Sequence, residues 1–569
     1  MSRRFWLLML MAALLWSTSV AQPVRVRLWS QHPPRELQLS ASPSFNMRTC
    51  PSCAALGGHE HRIVAQADSV KINRTPYRRL LVSGGYLLTV DGHAVHLSAP
   101  LEIVAKGGVL LLTVQLPLED YVAGVLAGEA EGMRSQEALK AMAVAARTYA
   151  VHFRGRHRLQ GFDLCDSTHC QVLRLSTVND RARAAAEATE GELLWYRGTT
   201  AATYYHKDCG GTTERSGEEL SGRGPLLAYL PQQSDPFCQR KGKAGWEATL
   251  RKSDLAEALS AAGLHPPRPL QRIVVASRSP SERVLTLRLE GASAITVPED
   301  VFYTAVGRSL GWSHLRSAMF DVEDRGESVN FRGHGDGHGV GLCQLGAEVM
   351  GEEGHSYNEI LSFYYPHTQL GVSAQGLSWV KLGSERFDLL TTQPELDRSV
   401  AAIVGRSLRE AEERTGLNLQ RRVTVRIYPT VAAFRDATGE PGWVAASTRG
   451  DVIRLQPAQV LGRTRSLPSV VRHELLHILV ESKAREATPL WLREGLVLCL
   501  NQDHPAASSS TSAPFSEIER QLRSPANQRE LRAGYAAAEA RVAALIRRYG
   551  PPAVINWLSA GLPAGLAAH

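Results

Sequence analysis

The chain has 569 residues, too many for one hydrophobic core, and at roughly 150 residues per domain it should hold two to four domains. Hydrophobic residues make up 44% and charged residues 21%, an ordinary globular balance that argues against disorder. The formal net charge of +8 is spread along the chain without a basic block, which suits a polyanionic polymer or a phospholipid surface, and no motif points to nucleic acid.

At the N-terminus, Arg3 and Arg4 precede an apolar run from Phe5 to Trp16, followed by Ser19-Val20-Ala21. This is the charged, apolar, small-x-small order of a secretory signal peptide over 1–21. The run is short for a bilayer span, an uncleaved anchor being the alternative. No later stretch reaches spanning length, so no stable transmembrane segment is expected after cleavage. The mature chain is expected in the periplasm, the cell wall or the extracellular space. There are eight cysteines, and in such a compartment they can pair or bind metal. Cys50-Pro51-Ser52-Cys53 does not follow a strand and open a helix, so it reads as a local disulfide or half a zinc site.

Residues 22–115 alternate apolar and polar positions, as in Val24-Arg25-Val26-Arg27-Leu28 and Tyr86-Leu87-Leu88-Thr89-Val90, with glycine turns between them. They predict short, half-buried strands. Helices follow over 118–126 and 135–153, the second with Ser135 as N-cap and Leu139, Met142, Ala146, Tyr149 and Phe153 on one face. Strand patterns return from about 190 to 335, including 273–275 and 284–289. A glycine-rich stretch, 333–346, leads to a short helical segment and Tyr364-Tyr365-Pro366. The small, polar stretch 370–380 marks a boundary. Beyond it a second unit, 380–569, has a helix over 394–414, strands near 422–428 and 452–455, a helix over 467–481 and a Ser/Ala/Pro-rich loop over 505–514. The fold class is α+β: a β-rich domain with a central helical pair (β-rich part 22–115, core 116–372), followed by a mostly helical α+β domain.

Three features of the first unit carry chemistry. Glu129 follows the apolar positions Val122, Val125 and Leu126, where desolvation raises a carboxyl pKa and suits it to protonate a leaving group. Cys165-x3-His169-Cys170 has metal-ligand types at short spacing, read as tetrahedral zinc or as a disulfide within the pair or with Cys209 or Cys238. His338 lies in Gly337-His338-Gly339-Val340-Gly341, where glycines let backbone approach a ligand. Together with Leu118–Glu129, Glu137–Ala150, Tyr205-His206-Lys207-Asp208-Cys209-Gly210-Gly211-Thr212 and the continuation to Gln344 and Gly346, these pieces resemble the sporulation stage II protein D (SpoIID/LytB) family. The resemblance extends over about 22–372. It implies a lytic transglycosylase that cuts peptidoglycan between N-acetylmuramic acid and N-acetylglucosamine, or a modulator of wall amidases.

By that resemblance Glu129 is the catalytic acid, and the zinc ligands are Cys165, His169, Cys170 and an upstream histidine, His157 in preference to His152. Tyr205, His206, His338 and Gln344 line the sugar groove. Arg147 holds a substrate carboxylate, pairs Glu129, or is structural. The sequence departs from the family at Ala130–Ser135, which lacks its Pro and Trp, and at Met142, where the family prefers Gln.

In the second unit, His473-Glu474-Leu475-Leu476-His477 is HExxH in a helical pattern, with both imidazoles on one face. With Pro489–Leu496 and the upstream stretches 442–446 and 453–455, it resembles the gluzincin-type (MA-like) peptidases over about 380–510. That resemblance implies Zn²⁺ held by His473, His477 and Glu494, with Glu474 as general base. The expectation is an exported cell-wall enzyme acting on glycan strands, with a second zinc site addressing a peptide or protein. A non-catalytic wall-binding or amidase-modulating protein, and a zinc protease localised by its N-terminal domain, are the alternatives.

Overall fold

The computed structural model describes residues 23–566 apart from 43–44, 74, 218–225, 242–244, 373–377, 439, 441–443, 465–466, 486, 503–512, 524–527 and 564–565. The expected signal peptide, most of the 505–514 loop, the middle of the 370–380 boundary, and Gly442 and Trp443 lie outside the described residues. The fold is mixed α+β. Two compact units are distinguished. One comprises Glu119–Arg156 and Ser167–Gly376; the other comprises the chain to Leu118, His157–Asp166 and the chain from Leu377.

The first of these units is organised around helix α1 (Leu118–Glu129) and helix α2 (Gln136–His152). The first turn of α1 carries Glu119 and Asp120, favourable at the positive end of a helix dipole. The α2 N-cap is Ser135, whose hydroxyl accepts from Ala138 N, and Glu348 accepts from the Arg134 and Ser135 amides at 2.8 and 3.0 Å. The sequence pattern predicts one apolar face for this helix; instead, Ala141 through Ala150 are all buried. The reason is that α2 packs against Asp180–Ala188, α3 (Gln344–Glu352), Tyr357–Tyr364 and Leu193–Tyr196. Met142 is among the buried residues and faces core.

Gly124 and Gly128 lie one turn apart on α1, where a Cβ would meet Leu173 Cδ1 at 2.6 Å and Val172 O at 2.3 Å. Only glycine lets the 172–175 segment approach this closely, and Arg174 N donates to Gly124 O at 3.0 Å.

A separate core forms between Gly245 and His334. Strands Gly245–Arg251, Ser328–His334 and Phe320–Arg325 make one sheet; Arg272–Arg278, Val284–Glu290 and Ala294–Pro298 make another. Phe302, Phe331, Leu255 and Leu287 fill it. The chain leaves for this lobe after Tyr205–His206 and returns at Leu342–Cys343, and these two short strands pair in parallel.

In the other unit, residues 24–116 together with the strand Leu164–Cys165 form two six-stranded sheets, with edge-to-edge orders that interleave the chain. Val24–Leu28 alternates buried and partly buried positions as predicted, and pairs Val109–Leu116 on one side and Leu164–Cys165 on the other. Cys50 and Cys53 form a disulfide, which decides between the two readings of that pair. From residue 380 onward, a five-stranded sheet runs Val380–Gly383, Phe387–Thr391, Val423–Ile427, Val452–Leu455, Ala446–Arg449, with the middle three parallel and both edge strands antiparallel. Helices α4 (Pro394–Thr415), α5 (Leu467–Lys483), α6 (Leu490–Asn501) and α7 (Gln528–Tyr549) supply Val404, Leu408, Leu475, Leu479, Leu492, Leu496 and Val542 to the core. No described helix is long and apolar enough to cross a membrane.

Arg147 on α2 is 0% exposed and joins α1 through a bidentate pair with Glu119, its Nε donating to Oε1 at 2.8 Å and its Nη2 to Oε2. Thr189 Oγ1 at 3.2 Å and the carbonyls of Ala186 at 2.8 Å and Glu192 at 3.4 Å accept the remaining donors. Removing the guanidinium strands a buried carboxylate, so Arg147→Ala should lower stability by about 3–5 kcal/mol. Urea denaturation followed by intrinsic fluorescence checks this; a loss under about 1 kcal/mol would contradict the burial of the pair.

Candidate functional site

Glu129 closes α1, and its carboxylate Oε1 accepts from the Val172 amide at 2.7 Å. That contact exists because Gly124 and Gly128 allow the 172–175 segment to lie against the helix. Burial raises the Glu129 pKa above the ordinary carboxyl value, opposed by the Val172 amide, the Tyr205 hydroxyl and the charge of Arg174. The hydroxyl is aimed by a buried relay. Tyr121 Oη donates to Gln171 Oε1 at 2.9 Å, and Gln171 Nε2 donates to Tyr205 Oη at 2.9 Å, leaving the Tyr205 proton for Glu129. Burial holds Tyr205 well above the usual phenol pKa, so it stays a donor.

Of the other predicted groove residues, Tyr205 and His338 keep partial exposure, whereas His206 and Gln344 are 4% and 8% exposed and lie behind the surface expected of them. His206 Nδ1 donates to Val340 O at 3.1 Å, and burial together with His338 and Arg283 keeps the ring neutral. His338 Nδ1 accepts from Val340 N at 3.0 Å, and burial beside Arg283 pushes its pKa down to about 4. The two rings meet edge-on with centroids 5.6 Å apart. Of the readings of Arg147 the structural one fits: its charge is spent on Glu119, so it neither pairs Glu129 nor is offered to a ligand as its substrate-binding reading expected.

Of the stretch His157–Cys170, His157 and Cys165 lie in one unit and His169 and Cys170 in the other, where Cys170 Sγ lies 3.6 Å from His169 Nδ1. Cys165 and Cys170 are buried and not disulfide-bonded. His152 is elsewhere, its Nδ1 on the Thr200 carbonyl at 2.7 Å. Asp166 anchors the stretch by accepting from Trp29 N at 2.6 Å and Ser30 N at 3.1 Å.

In the C-terminal part, α5 sets His473 and His477 one turn apart with their Nε2 atoms at 3.2 Å, and Glu494 on α6 reaches His477 Nε2 at 3.8 Å. Glu474 accepts from Thr448 Oγ1 of the edge strand at 2.6 Å, and burial pushes its pKa up to about 7. Burial does the same to Glu494, to about 7, and brings His477 down to about 3. A cleft of about 690 Å³, lined by Ala446, His473, Glu474, Asn501 and Tyr535 among others, opens onto this face.

Residues 106–196 match the family profile of the stage II sporulation protein, SpoIID. The uncharacterised protein of Brachyspira hyodysenteriae that resembles this chain is 30% identical over 283 residues, covering 49% of this chain and 73% of that protein. The first part of the chain belongs to the SpoIID family. Stage II sporulation protein D of Bacillus subtilis is 26% identical over 284 residues, covering 45% of this chain and 74% of that protein. The amidase enhancer of Bacillus subtilis is 28% identical over 295 residues, of which this chain spans 40% of the length. Residues 230–341 match a domain of unknown function, DUF8618, which takes in the looped-out lobe and His338. Neither profile reaches His473.

Two parts of the Glu129 site escaped the sequence reading. Gly124-x-x-x-Gly128 was a visible signal of close packing on a helix. The Tyr121–Gln171 relay had no signal, because its members are distant in sequence. Since the Tyr205 hydroxyl stabilises ionised Glu129, Tyr205→Phe should raise the Glu129 pKa further; carboxyl-carbon NMR titration, assigned with Glu129→Gln, reads the shift, and an unchanged or lowered pKa would refute the contact. The stability linked to this group has a defined sign: it is fully present below pH about 4.5 and is lost as pH rises through the raised folded value.

Proposed function

We propose that this chain is an exported cell-wall protein that cleaves peptidoglycan glycan strands as a lytic transglycosylase, with Glu129 as its acid and base. The observation that carries this reading is the Glu129 carboxyl, shifted upward by burial and held by the Val172 amide, with Tyr205 and Arg174 as the other groups acting on it. Hydrolytic glycosidases use two carboxylates, one to activate water or attack the sugar. A lytic transglycosylase needs one, because the 6-hydroxyl of the muramyl residue attacks C1 and forms the 1,6-anhydro ring. Protonated Glu129 gives its proton to the leaving glycosidic oxygen, and the resulting carboxylate takes the proton of the attacking hydroxyl. The Val172 amide and Tyr205 hydroxyl steady the carboxylate between the two transfers. Neutral His338, partly exposed, offers a ring to sugar without adding charge.

By residue type, His157, Cys165, His169 and Cys170 suit a structural Zn²⁺, two thiols and two imidazoles being the ligand chemistry of closed tetrahedral sites. The C-terminal residues also fit zinc. The two Nε2 atoms at 3.2 Å approach the edge of about 3.3 Å that a tetrahedral ion with Zn–N near 2.0–2.1 Å requires. His473, His477 and Glu494 would hold the ion, which when bound supplies Lewis-acid polarisation of a peptide carbonyl. Glu474, on the cleft wall with its carboxyl oriented by Thr448, is the proton acceptor of this proposed peptidase. One chain could then address both the glycan and a peptide or protein at the wall.

A second reading, of a wall-binding protein that modulates an amidase, is favoured by the likeness to the Bacillus subtilis amidase enhancer and by the altered 130–135 segment. Incubation of the purified chain with denuded glycan strands separates the two. Mass spectrometry should find 1,6-anhydro-muramyl ends from the unaltered protein and a loss of about 10²–10⁴-fold in Glu129→Gln. Glycan bound but left whole by both proteins would sink the transglycosylase reading in favour of the modulator. For the C-terminal part, Glu474→Gln should abolish peptide cleavage while leaving the zinc content unchanged. Cleavage that survives the substitution would remove Glu474 as the base.

A further inference from the structure

The thiols of Cys209, Cys238 and Cys343 and the carboxylate of Asp235 are all buried, and their donor atoms lie within 4.8 Å of one another. They are separate from the His157–Cys170 stretch and from Glu129, and none of the three cysteines is disulfide-bonded. We propose that these four residues hold one structural Zn²⁺ that clamps the neck of the looped-out lobe.

The donor set is the first support. Three thiols and one carboxylate match the sulfur-rich tetrahedral coordination that selects zinc. With Zn–S near 2.3 Å, the edge of such a tetrahedron is about 3.8 Å, within the span these atoms occupy. A disulfide would use two of the three sulfurs and leave a thiol facing a buried carboxylate.

The surroundings are the second support, since metal thiolates are held by donors from the protein beyond them. Cys343 Sγ receives two backbone amides, Cys209 N at 3.3 Å and Gly346 N at 3.4 Å. Asp235 is oriented by Tyr364 Oη at 2.8 Å and by Cys238 N at 2.9 Å. Buried Arg283 donates to the Cys209 carbonyl at 2.8 Å, placing a positive charge beside an anionic cluster. At Gly346 a Cβ would meet Tyr364 Oη at 2.0 Å and Asp235 Oδ2 at 2.6 Å, so glycine is required for α3 to come this close.

The third support is placement. Cys209 follows the Tyr205–His206 strand as the chain departs, Cys238 lies on the short helix Pro236–Arg240, and Cys343 ends the returning strand Leu342–Cys343. One ion would tie the outgoing and returning crossings together and fix the strand that presents Tyr205. On binding, each thiol still protonated releases its proton to solvent, including the Cys238 thiol that donates to Asp208 Oδ1 at 3.0 Å, and the ion forms three bonds to sulfur and one to oxygen.

The test measures zinc per chain and the state of each cysteine in the full protein purified from zinc-supplemented cells. The Cys209→Ser/Cys238→Ser protein should carry one zinc fewer than the unaltered chain. In the unaltered chain, peptide mass spectrometry should find Cys209, Cys238 and Cys343 as thiols that alkylate only after a chelator is added. A disulfide between any two of them, alkylation indifferent to the chelator, or an unchanged zinc content in the variant would overturn the proposal. Because the variant could misfold, a further measurement uses Cys165→Ser/Cys170→Ser protein loaded with Co²⁺. There this cluster is the thiolate site left to the ion, and thiolate-to-cobalt absorption is expected; its absence would also overturn the proposal.

Discussion

A charge shut off from water must be surrounded by acceptors, and at Arg147 that requirement draws three stretches of chain to one point. Glu119 comes from the first turn of α1, Arg147 from the middle of α2, and Ala186, Thr189 and Glu192 from the helix end and turn that follow. The pair joins the start of α1 to α2, while Gly124 and Gly128 fix the other end of α1 against the 172–175 segment. Glu129 inherits its position from both. The carboxyl is where it is because the helix before it is held at both ends.

In the proposed reading that placement has a chemical use, because a carboxyl that gives up a proton and takes one back must remain in place in both states. The Val172 amide and the Tyr205 hydroxyl favour the ionised form while burial favours the neutral one. The opposition leaves the pKa raised without leaving the charged form unsupported. Tyr205 in turn depends on a two-residue strand whose partner returns only after the whole 245–334 lobe has been built. A lobe with its own core, matched by a separate family profile, is therefore mechanically connected to the strand beside Glu129.

The C-terminal part solves a different problem with the same means. HExxH places two imidazoles on one face of any helix, but the carboxylate proposed as third ligand has to come from another element. α6 brings Glu494 to His477, and the antiparallel edge strand brings Thr448 to Glu474. Burial keeps His477 neutral and available as a donor of its lone pair.

Sequence alone determined what depends on neighbouring residues. The alternation of Val24–Leu28 and Tyr86–Val90, the Ser135 cap, the α4 and α5 helices and the one-turn spacing of His473 and His477 are set by local periodicity and capping, and they appear in the structure within a few residues of their expected bounds. The disulfide at Cys50–Cys53 was one of two local readings, and only the folded backbone decided it. Arg147 shows the limit most clearly. Its residue type announces a charge but not its partner, and Glu119 in place of Glu129 was chosen by how two helices meet. Likewise Cys209, Cys238 and Cys343 are isolated cysteines in sequence and become one buried cluster with Asp235 only when the chain leaves for the lobe and comes back. Local pattern records what a residue can do within its own turn or strand; which distant group it meets is decided by packing, because burial and hydrogen-bond satisfaction are properties of the assembled core.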